Sequence, residues 1–516
     1  MEKAATYLNW SHPIKRAKSF LEKKSAFHRR SFSASQTTSE AGEKSFFKHR
    51  SWRFSKKAKG LIVFAILAVL LVSFFVYLPK GSQNVPDKPK DTDNTIAEPT
   101  ATAETNKSGS SLNPLSQWWS GVTSQAQNTI TQAIGAPKGR GVIETAINAG
   151  QPLNSTVWKQ VAQNAWNYFQ IGVGVDSNTG LPSAGLGYPY FTDWDLGVYI
   201  QAVIDAQKMN LTSTTDANSR LDKVLTFLQT RDLNDATNYP FWFYQAKDGK
   251  DYQAQSDQAT VTVDTVDTGR LFVALSNLKA YNPSWTDRIN YIVYDRSNYA
   301  ALIDGIKSDC AVSSSIYTYY VVSGFANFWP DQLINAPNTV LNNLFNAPNV
   351  TVSGVLLPKS PTSSEPLLCS LFELNSNDSR LAAFTRQVYL AHEAYYNASE
   401  QRQYVAFSEG NGPNGFIYEW VISPLGDSWK ITPAADYTKY LDMNPIIYNK
   451  VALSFLALYN STFARNMVVY LEQTLPNPTS GYSEGADNNG GVVSSVGSNT
   501  NGLILDAALY AIQNNP

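Results

Sequence analysis

Histidine and cysteine are scarce in this chain. Its 516 residues include four histidines and two cysteines, and His12, His28 and His49 all fall within the first 59 positions. Only His392 remains for the rest. That scarcity excludes most histidine-built metal sites and leaves a Ser-His-Asp or Cys-His nucleophile one candidate, on the helical text LAHEAYY, where a structural histidine is the better reading. Cys310 and Cys369 are too few for a disulfide scaffold and allow one bridge at most. Charged residues make up only 16% against 43% hydrophobic, which excludes a disordered or collagenous chain. Phosphate-cradling loops are missing as well, because Gly172-Val-Gly174 and Gly185-Leu-Gly187 lack the rest of any Rossmann or P-loop pattern. Asp176-Ser-Asn-Thr-Gly180 starts like a calcium loop, but no bidentate glutamate follows, so an Asx-type turn is expected. No metal and no cofactor is expected, and carboxylates are left as the main catalytic vocabulary.

The net charge of -1 conceals two regions of opposite sign. Of 41 basic and 42 acidic residues, 15 and 4 lie in positions 1–59, leaving 26 against 38 for the remainder. At the break stands GLIVFAILAVLLVSFFVYL, residues 60–78, an uncharged run of 19 residues. At about 1.5 Å per helical residue it matches a hydrocarbon core of roughly 30 Å. Arg50, Arg53, Lys56, Lys57 and Lys59 precede it, and Asp87, Asp91 and Asp93 follow, so the positive-inside bias puts the N-terminus in the cytoplasm and the rest outside. The arm is too long for the n-region of a cleaved signal peptide, which favours an uncleaved signal anchor in the lipid bilayer. The arm itself reads as a disordered cytoplasmic tail near anionic lipid, and no nucleic-acid partner is expected. Seven Asn-x-Ser/Thr triplets follow the run and are compatible with export.

Residues 79–115 are Pro, Thr, Ser, Asp and Lys with little to bury, a flexible stalk. A lead-in, 116–150, then precedes a main domain at 151–516. Helical periodicity dominates that domain, over 157–169, 194–209, 217–229, 268–279, 285–306, 380–398, 445–459, 464–474 and 503–512. The loops between them are long and rich in Gly, Pro, Asn and aromatics, the kind that build sites on a rigid frame. Three helix starts echo one another: Thr192-Asp-Trp-Asp-Leu-Gly197, Thr265-Val-Asp-Thr-Gly269 and Thr500-Asn-Gly502. Capping explains the Thr, Asp and Asn, but not a glycine in the first turn, which points to a neighbouring helix or a ligand pressed against the backbone.

Carboxylates beside aromatics concentrate in two loops. Phe407-Ser-Glu409-Gly leads through a glycine-rich turn to Tyr418-Glu419-Trp420, and Gly481-Tyr482-Ser-Glu484-Gly repeats the Ser-Glu-Gly. Such equipment suits glycoside hydrolysis, which needs a protonated carboxylic acid and a second carboxylate, with aromatic faces for the sugar rings.

The ordered series of Asp176-Ser-Asn-Thr-Gly-Leu181, Thr192-Asp-Trp-Asp-Leu-Gly197, Phe407-Ser-Glu-Gly410 with Tyr418-Glu419, Lys450-Val-Ala-Leu-Ser-Phe455, Gly481-Tyr-Ser-Glu-Gly485 and Asn499-Thr-Asn-Gly-Leu-Ile-Leu505 resembles domain-of-unknown-function family 3131 (DUF3131). That family is similar to glucoamylase-like domains and endo-β-1,2-glucanases. The resemblance implies an all-α fold, an (α/α)6 toroid of six helical hairpins with a groove where the inner helices begin, and a polysaccharide or oligosaccharide partner. It covers about 150–514, and the Asn-, Pro- and Ser-rich stretch 327–366 reads as an insertion. Rim position then nominates Glu409 or Glu419 as general acid, with Asp193, Asp195, Asp267 or Glu484 as its partner. Trp194, Tyr418, Trp420, Tyr482 and Asn501 are the candidate sugar contacts. For each, a cap or loop hydrogen bond is the competing reading, and a non-catalytic glycan-binding or envelope-assembly protein is the alternative to a hydrolase. Alkaline carbonate washing is expected to leave the full-length chain in the membrane pellet, and deletion of 60–78 to release it.

Overall fold

The computed structural model describes residues 141–252, 262–263, 265–374, 376, 378–413 and 415–514. The basic arm, the apolar run 60–78, the stalk and most of the lead-in lie outside the described residues. Among the described residues no helix is long and apolar enough to cross a membrane.

A short helix, α1 (Val142–Asn148), precedes six hairpins, each pairing an outer helix with an inner one. They are α2 (Ser155–Trp166) with α3 (Asp193–Lys208), α4 (Thr214–Thr230) with α5 (Thr265–Tyr281), and α6 (Ile303–Val312) with α7 (Ile316–Ala326). Then follow α8 (Ala336–Asn346) with α9 (Ser364–Phe372), α10 (Ser379–Ala398) with α11 (Asn449–Tyr459), and α12 (Thr462–Thr474) with α13 (Ser498–Asn514). Each inner helix packs on the next, and α13 packs back on α3, so the six form a closed ring of neighbours. Outer helices are amphipathic; α2 buries Val157, Trp158, Val161, Ala162, Ala165 and Trp166 along one stripe. Inner helices are buried almost all round, as α3 is from Leu196 to Ala206.

The first-turn glycines find their reason here. A Cβ on Gly502 of α13 would lie 2.3 Å from Val198 Cγ1 of α3, one on Gly197 of α3 would lie 2.9 Å from Arg270 of α5, and one on Gly269 of α5 would lie 2.7 Å from Val321 of α7. A neighbouring helix, not a ligand, occupies the space, and three successive ring contacts depend on it.

The expectation of an all-α fold needs correction. Among the described residues ten short strands stand in the loops: β1 (Tyr190–Phe191) with β2 (Tyr244–Gln245), the hairpin β3 (Asn349–Val352) and β4 (Val355–Pro358), the sheet β5 (Glu409–Gly412), β6 (Gly415–Ile422) and β7 (Ser428–Pro433), and the sheet β8 (Ile447–Tyr448), β9 (Ser483–Ala486) and β10 (Val492–Val496). Long loops that lead to buried helices must satisfy their backbone groups, and short antiparallel ladders do so. The stretch 327–366, expected to be an insertion, is built of regular elements: it holds outer helix α8, the β3–β4 hairpin and the start of inner helix α9. α7 also escaped the periodicity search, because IYTYYVVSGFA is apolar on every side. The expected helix at 445–459 begins only at Asn449, since Ile447 and Tyr448 pair with β9. The expected helix at 285–306 is broken by a wide turn over Tyr291–Arg296.

His392 is a core residue, fully buried. Its Nδ1 meets Val388 O at 2.7 Å and its Nε2 accepts the Phe407 amide at 3.2 Å, so the proton sits on Nδ1 and both nitrogens are occupied. Burial holds its pKa down to about 4. Cys310 and Cys369 are both buried and free. Asp176 Oδ1 accepts the amides of Asn178 and Thr179 at 2.9 and 3.0 Å, the expected Asx turn.

The ring contacts give a stability test. Gly269→Ala presses a methyl on the α7 backbone and is expected to cost about 1–3 kcal/mol. Gly305→Ala in α6, where a Cβ meets nothing within 4 Å, is expected to gain about 0.5–1 kcal/mol. Urea unfolding of both variants checks the contrast.

Candidate active site

The N-terminal ends of the inner helices and the strands that lead into them share one rim. There β5 carries Glu409, β9 carries Glu484, and α9, α11 and α13 contribute Glu365, Lys450 and Thr500. The carboxyls of Glu365, Glu484 and Glu409 all act on the Lys450 ammonium, so these four groups form one cluster.

The two Ser-Glu-Gly sequences meet in space. A Cβ on Gly410 would lie 3.1 Å from Glu484 Oε2 and 2.6 Å from the Tyr448 ring, so the glycine lets the second glutamate and the tyrosine approach the first strand. Gly485 does the same for Ile447, whose carbonyl oxygen would lie 2.2 Å from its Cβ. Glu484 is held by Thr500 Oγ1, which donates to Oε2 at 2.5 Å, and by Asn411 Nδ2, which donates to Oε1 at 3.4 Å. Glu409 differs. It is 4% exposed, and its Oε2 has no hydrogen-bond partner. Burial pushes its carboxyl up to about 7, against the pull of Lys450 and Arg270.

Strand periodicity separates the two glutamates that frame the glycine-rich turn. Glu409 stands opposite Tyr418 in the β5–β6 ladder and shares its face, while Glu419 points to the other side. There Glu419 Oε1 accepts the Ile446 amide at 2.8 Å, inside the fold. Glu419 therefore braces the entry to α11 from the face opposite Glu409, and its Oε2, like that of Glu409, has no hydrogen-bond partner. Tyr418 and Trp420 stack at 5.5 Å and 14°, with Tyr437 edge-on to both. This aromatic wall lies beside Glu409.

The remaining candidates divide. Asp195 closes a capping box with Thr192, accepts from Ser498 Oγ at 2.6 Å, and flanks the Tyr168 phenol together with Glu484. It belongs to the site's edge. Asp267 Oδ2 accepts from Trp242 Nε1 at 2.9 Å and acts on Tyr418, on the aromatic side. Asp193 does not join. Its carboxylate is locked to Arg231 at 2.5 Å beside Tyr299, a buried structural ion pair. Trp194 is half-buried, with the Arg270 guanidinium 4.8 Å from its ring centroid and its Nε1 donating to Asn499 at 3.2 Å. Asn501 is fully buried and spends its amide on Tyr482 N, Tyr482 O and Gly497 O, so it clamps the loop before β9 instead of binding sugar. The Tyr482 hydroxyl faces Asn164 and a cavity of about 440 Å³ near Glu472, away from Glu409.

The family model described as "Protein of unknown function (DUF3131)" matches residues 160–326 and 345–514. This chain belongs to the DUF3131 family. No curated protein matches it in sequence. Among solved structures, it is similar to a "putative glucoamylase" from Bacteroides uniformis ATCC 8492 at 14% identity and TM-score 0.52, over 70% of this chain and 93% of that one. The protein of the same name from Bacteroides caccae ATCC 43185 matches at 14% and 0.50, over 69% and 93%. An endo-β-1,2-glucanase from Chitinophaga pinensis matches at 12% and 0.47, over 70% and 94%. At these identities the likeness is one of fold.

Two members of this cluster, and the neighbouring Tyr448, are not carboxylates beside aromatics in the sequence. Glu365 lay in the supposed insertion, and Lys450 and Tyr448 lay in an apolar helix pattern. A lysine at the head of a helix that is otherwise apolar was the available signal, because a buried ammonium demands partners.

The raised Glu409 carboxyl has a pH consequence with a definite sign. A proton held more tightly in the folded chain lends stability that is complete below about pH 4.5 and is lost as pH rises through about 7. At about 1.4 kcal/mol per unit the loss is about 3 kcal/mol. Burial pushes Glu472 up to about 7 as well, over the same window. Glu409→Gln is expected to flatten, not abolish, the fall in unfolding free energy between pH 5 and 8, measured by urea titration.

Proposed function

We propose that this DUF3131 protein is a glycoside hydrolase acting on a glucan-like polysaccharide by carboxylate acid/base chemistry. The observation that carries the reading is Glu409: a fully buried carboxyl, protonated up to about pH 7, with an unpartnered oxygen beside an aromatic wall. A carboxylic acid kept neutral near physiological pH can donate its proton to a glycosidic oxygen. Glu484 is the partner carboxylate. Burial raises Glu484 too, but Lys450 and the hydrogen bonds from Thr500 and Asn411 pull it back toward its ionised form, whereas Glu409 Oε2 receives no hydrogen bond. Tyr418, half-buried and backed by the buried Trp420, offers a face for a sugar ring, and Asp195 and Asp267 extend the row of hydroxyl acceptors on either side. The glucoamylase-like fold supports a carbohydrate substrate only by analogy. The apolar run 60–78, with basic residues before it and acidic ones after, supports a single-pass anchor that holds the domain outside the cytoplasm.

Full-length protein in detergent, incubated with a panel of α- and β-glucans, is expected to release oligosaccharides detectable by mass spectrometry. Glu409→Gln is expected to reduce the rate by about 10²–10⁴-fold, the usual contribution of general acid catalysis. Retained glycan binding with no products from the wild type would replace this reading with a non-catalytic glycan-binding protein.

A further inference from the structure

We propose that Lys450, clamped by Glu365, is the positioning residue of this site: it fixes the strand that carries Glu409 and stands among Glu409, Glu484 and Glu365 so that one positive charge is shared unequally between the two reacting carboxyls. The proposal rests on the reading of Glu409 and Glu484 as that pair.

The geometry behind it joins three hairpins. Lys450 is in the first turn of α11 and its side chain has no solvent exposure. The ammonium forms an ion pair with Glu365 Oε2 of α9, equally buried, and donates to the backbone oxygen of Glu409 at 2.7 Å. Ser408 Oγ donates to the same Glu365 oxygen at 3.3 Å, so the residue before Glu409 is tied to the clamp too. Glu365 Oε1 has no partner. The charged and titratable groups around the ammonium are the carboxyls of Glu365, Glu409 and Glu484 and the phenol of Tyr448, whose ring centroid lies 5.6 Å away. Arg270 also acts on Glu409, and Asp195 reaches the cluster from beyond Tyr168.

Holding a strand carbonyl does not require a charge. An amide or hydroxyl would do it without the desolvation that a buried ammonium and carboxylate incur, and an apolar pair of similar volume would pack as well. What only the charge supplies is a field on its neighbours, and Lys450 is the cation that pulls hardest on both Glu409 and Glu484.

The test is an infrared titration of the carboxyl C=O band of full-length protein, with the Glu409 component assigned by its loss in Glu409→Gln. Lys450→Met alone leaves Glu365 buried and unpaired, so the double variant Lys450→Met/Glu365→Gln, which removes both charges together, is the main measurement. Its Glu409 band is expected to titrate at a pH higher by about one unit or more, and Lys450→Arg is expected to return it toward wild type. A merely loosened fold would move the band the other way, toward the free-glutamate value of about 4.3. A folded double variant whose Glu409 band stays at the wild-type midpoint, or moves down, overturns the proposal. The titration needs no substrate. An upward shift in a protein that hydrolyses nothing would remove the hydrolase reading alone, and hydrolysis without the shift would remove the clamp alone.

Discussion

Six inner helices with almost no solvent-facing side impose the constraint on which the rest of this structure depends. A helix buried all round must be apolar along its length or pair every polar group it carries, so free chemistry is confined to its ends. The ring also requires close backbone approach, and Gly197, Gly269 and Gly502 provide it at three successive contacts. With the helix bodies committed to packing, the loops that enter them at one rim are left to carry function. Five of those loops are long, the exception being 313–315, and short ladders pair part of their described backbone.

The same burial makes charge the second constraint. Arg270 and Lys450 are the fully buried cations near the rim and the ring interior. Around them lie Glu365, Glu373, Glu409, Glu484, Asp195, Asp205 and Asp506, all buried. Even with Lys208 beside Asp205, three cations cannot neutralise seven ionised carboxylates, so several are held toward the protonated form. The Arg270–Glu373 pair at 2.5 Å, joined by Tyr320, and the Lys450–Glu365 pair settle two of them. Asp205 and Asp506 are hydrogen-bonded to each other and both raised, first by burial. Glu409 is held toward its protonated form by burial, which outweighs the pull of Lys450 and Arg270 because neither cation bonds to its carboxyl.

Much of the fold was legible where burial is one-sided. Outer helices α2, α4, α10 and α12 show their stripe in sequence because one face meets water. α7 did not, since a helix buried on every side has no stripe to read. Stretch 327–366 read as an insertion, and the family model does skip 327–344, but its Asn, Pro and Ser masked the helix and hairpin that complete the fourth unit. At the site, the repeated Ser-Glu-Gly was legible as a pair, and the structure does bring Glu409 and Glu484 together. Glu419 and Asn501 misled because a loop carboxylate and a rim amide look alike whether they face a groove or a neighbouring amide.

The sequence by itself determined the charge division at residue 59, the scarcity of histidine and cysteine, the positions of the amphipathic helices, and the need for glycine at three helix starts. These follow from composition and local periodicity, which each residue type carries with it. Only the tertiary structure decided which carboxylates meet, that Glu365 and Lys450 join them, and which face of β6 each side chain takes. Glu365, Glu409, Lys450 and Glu484 span four separate segments of the chain. Ring closure brings them within each other's field, and no spacing along the chain encodes that distance.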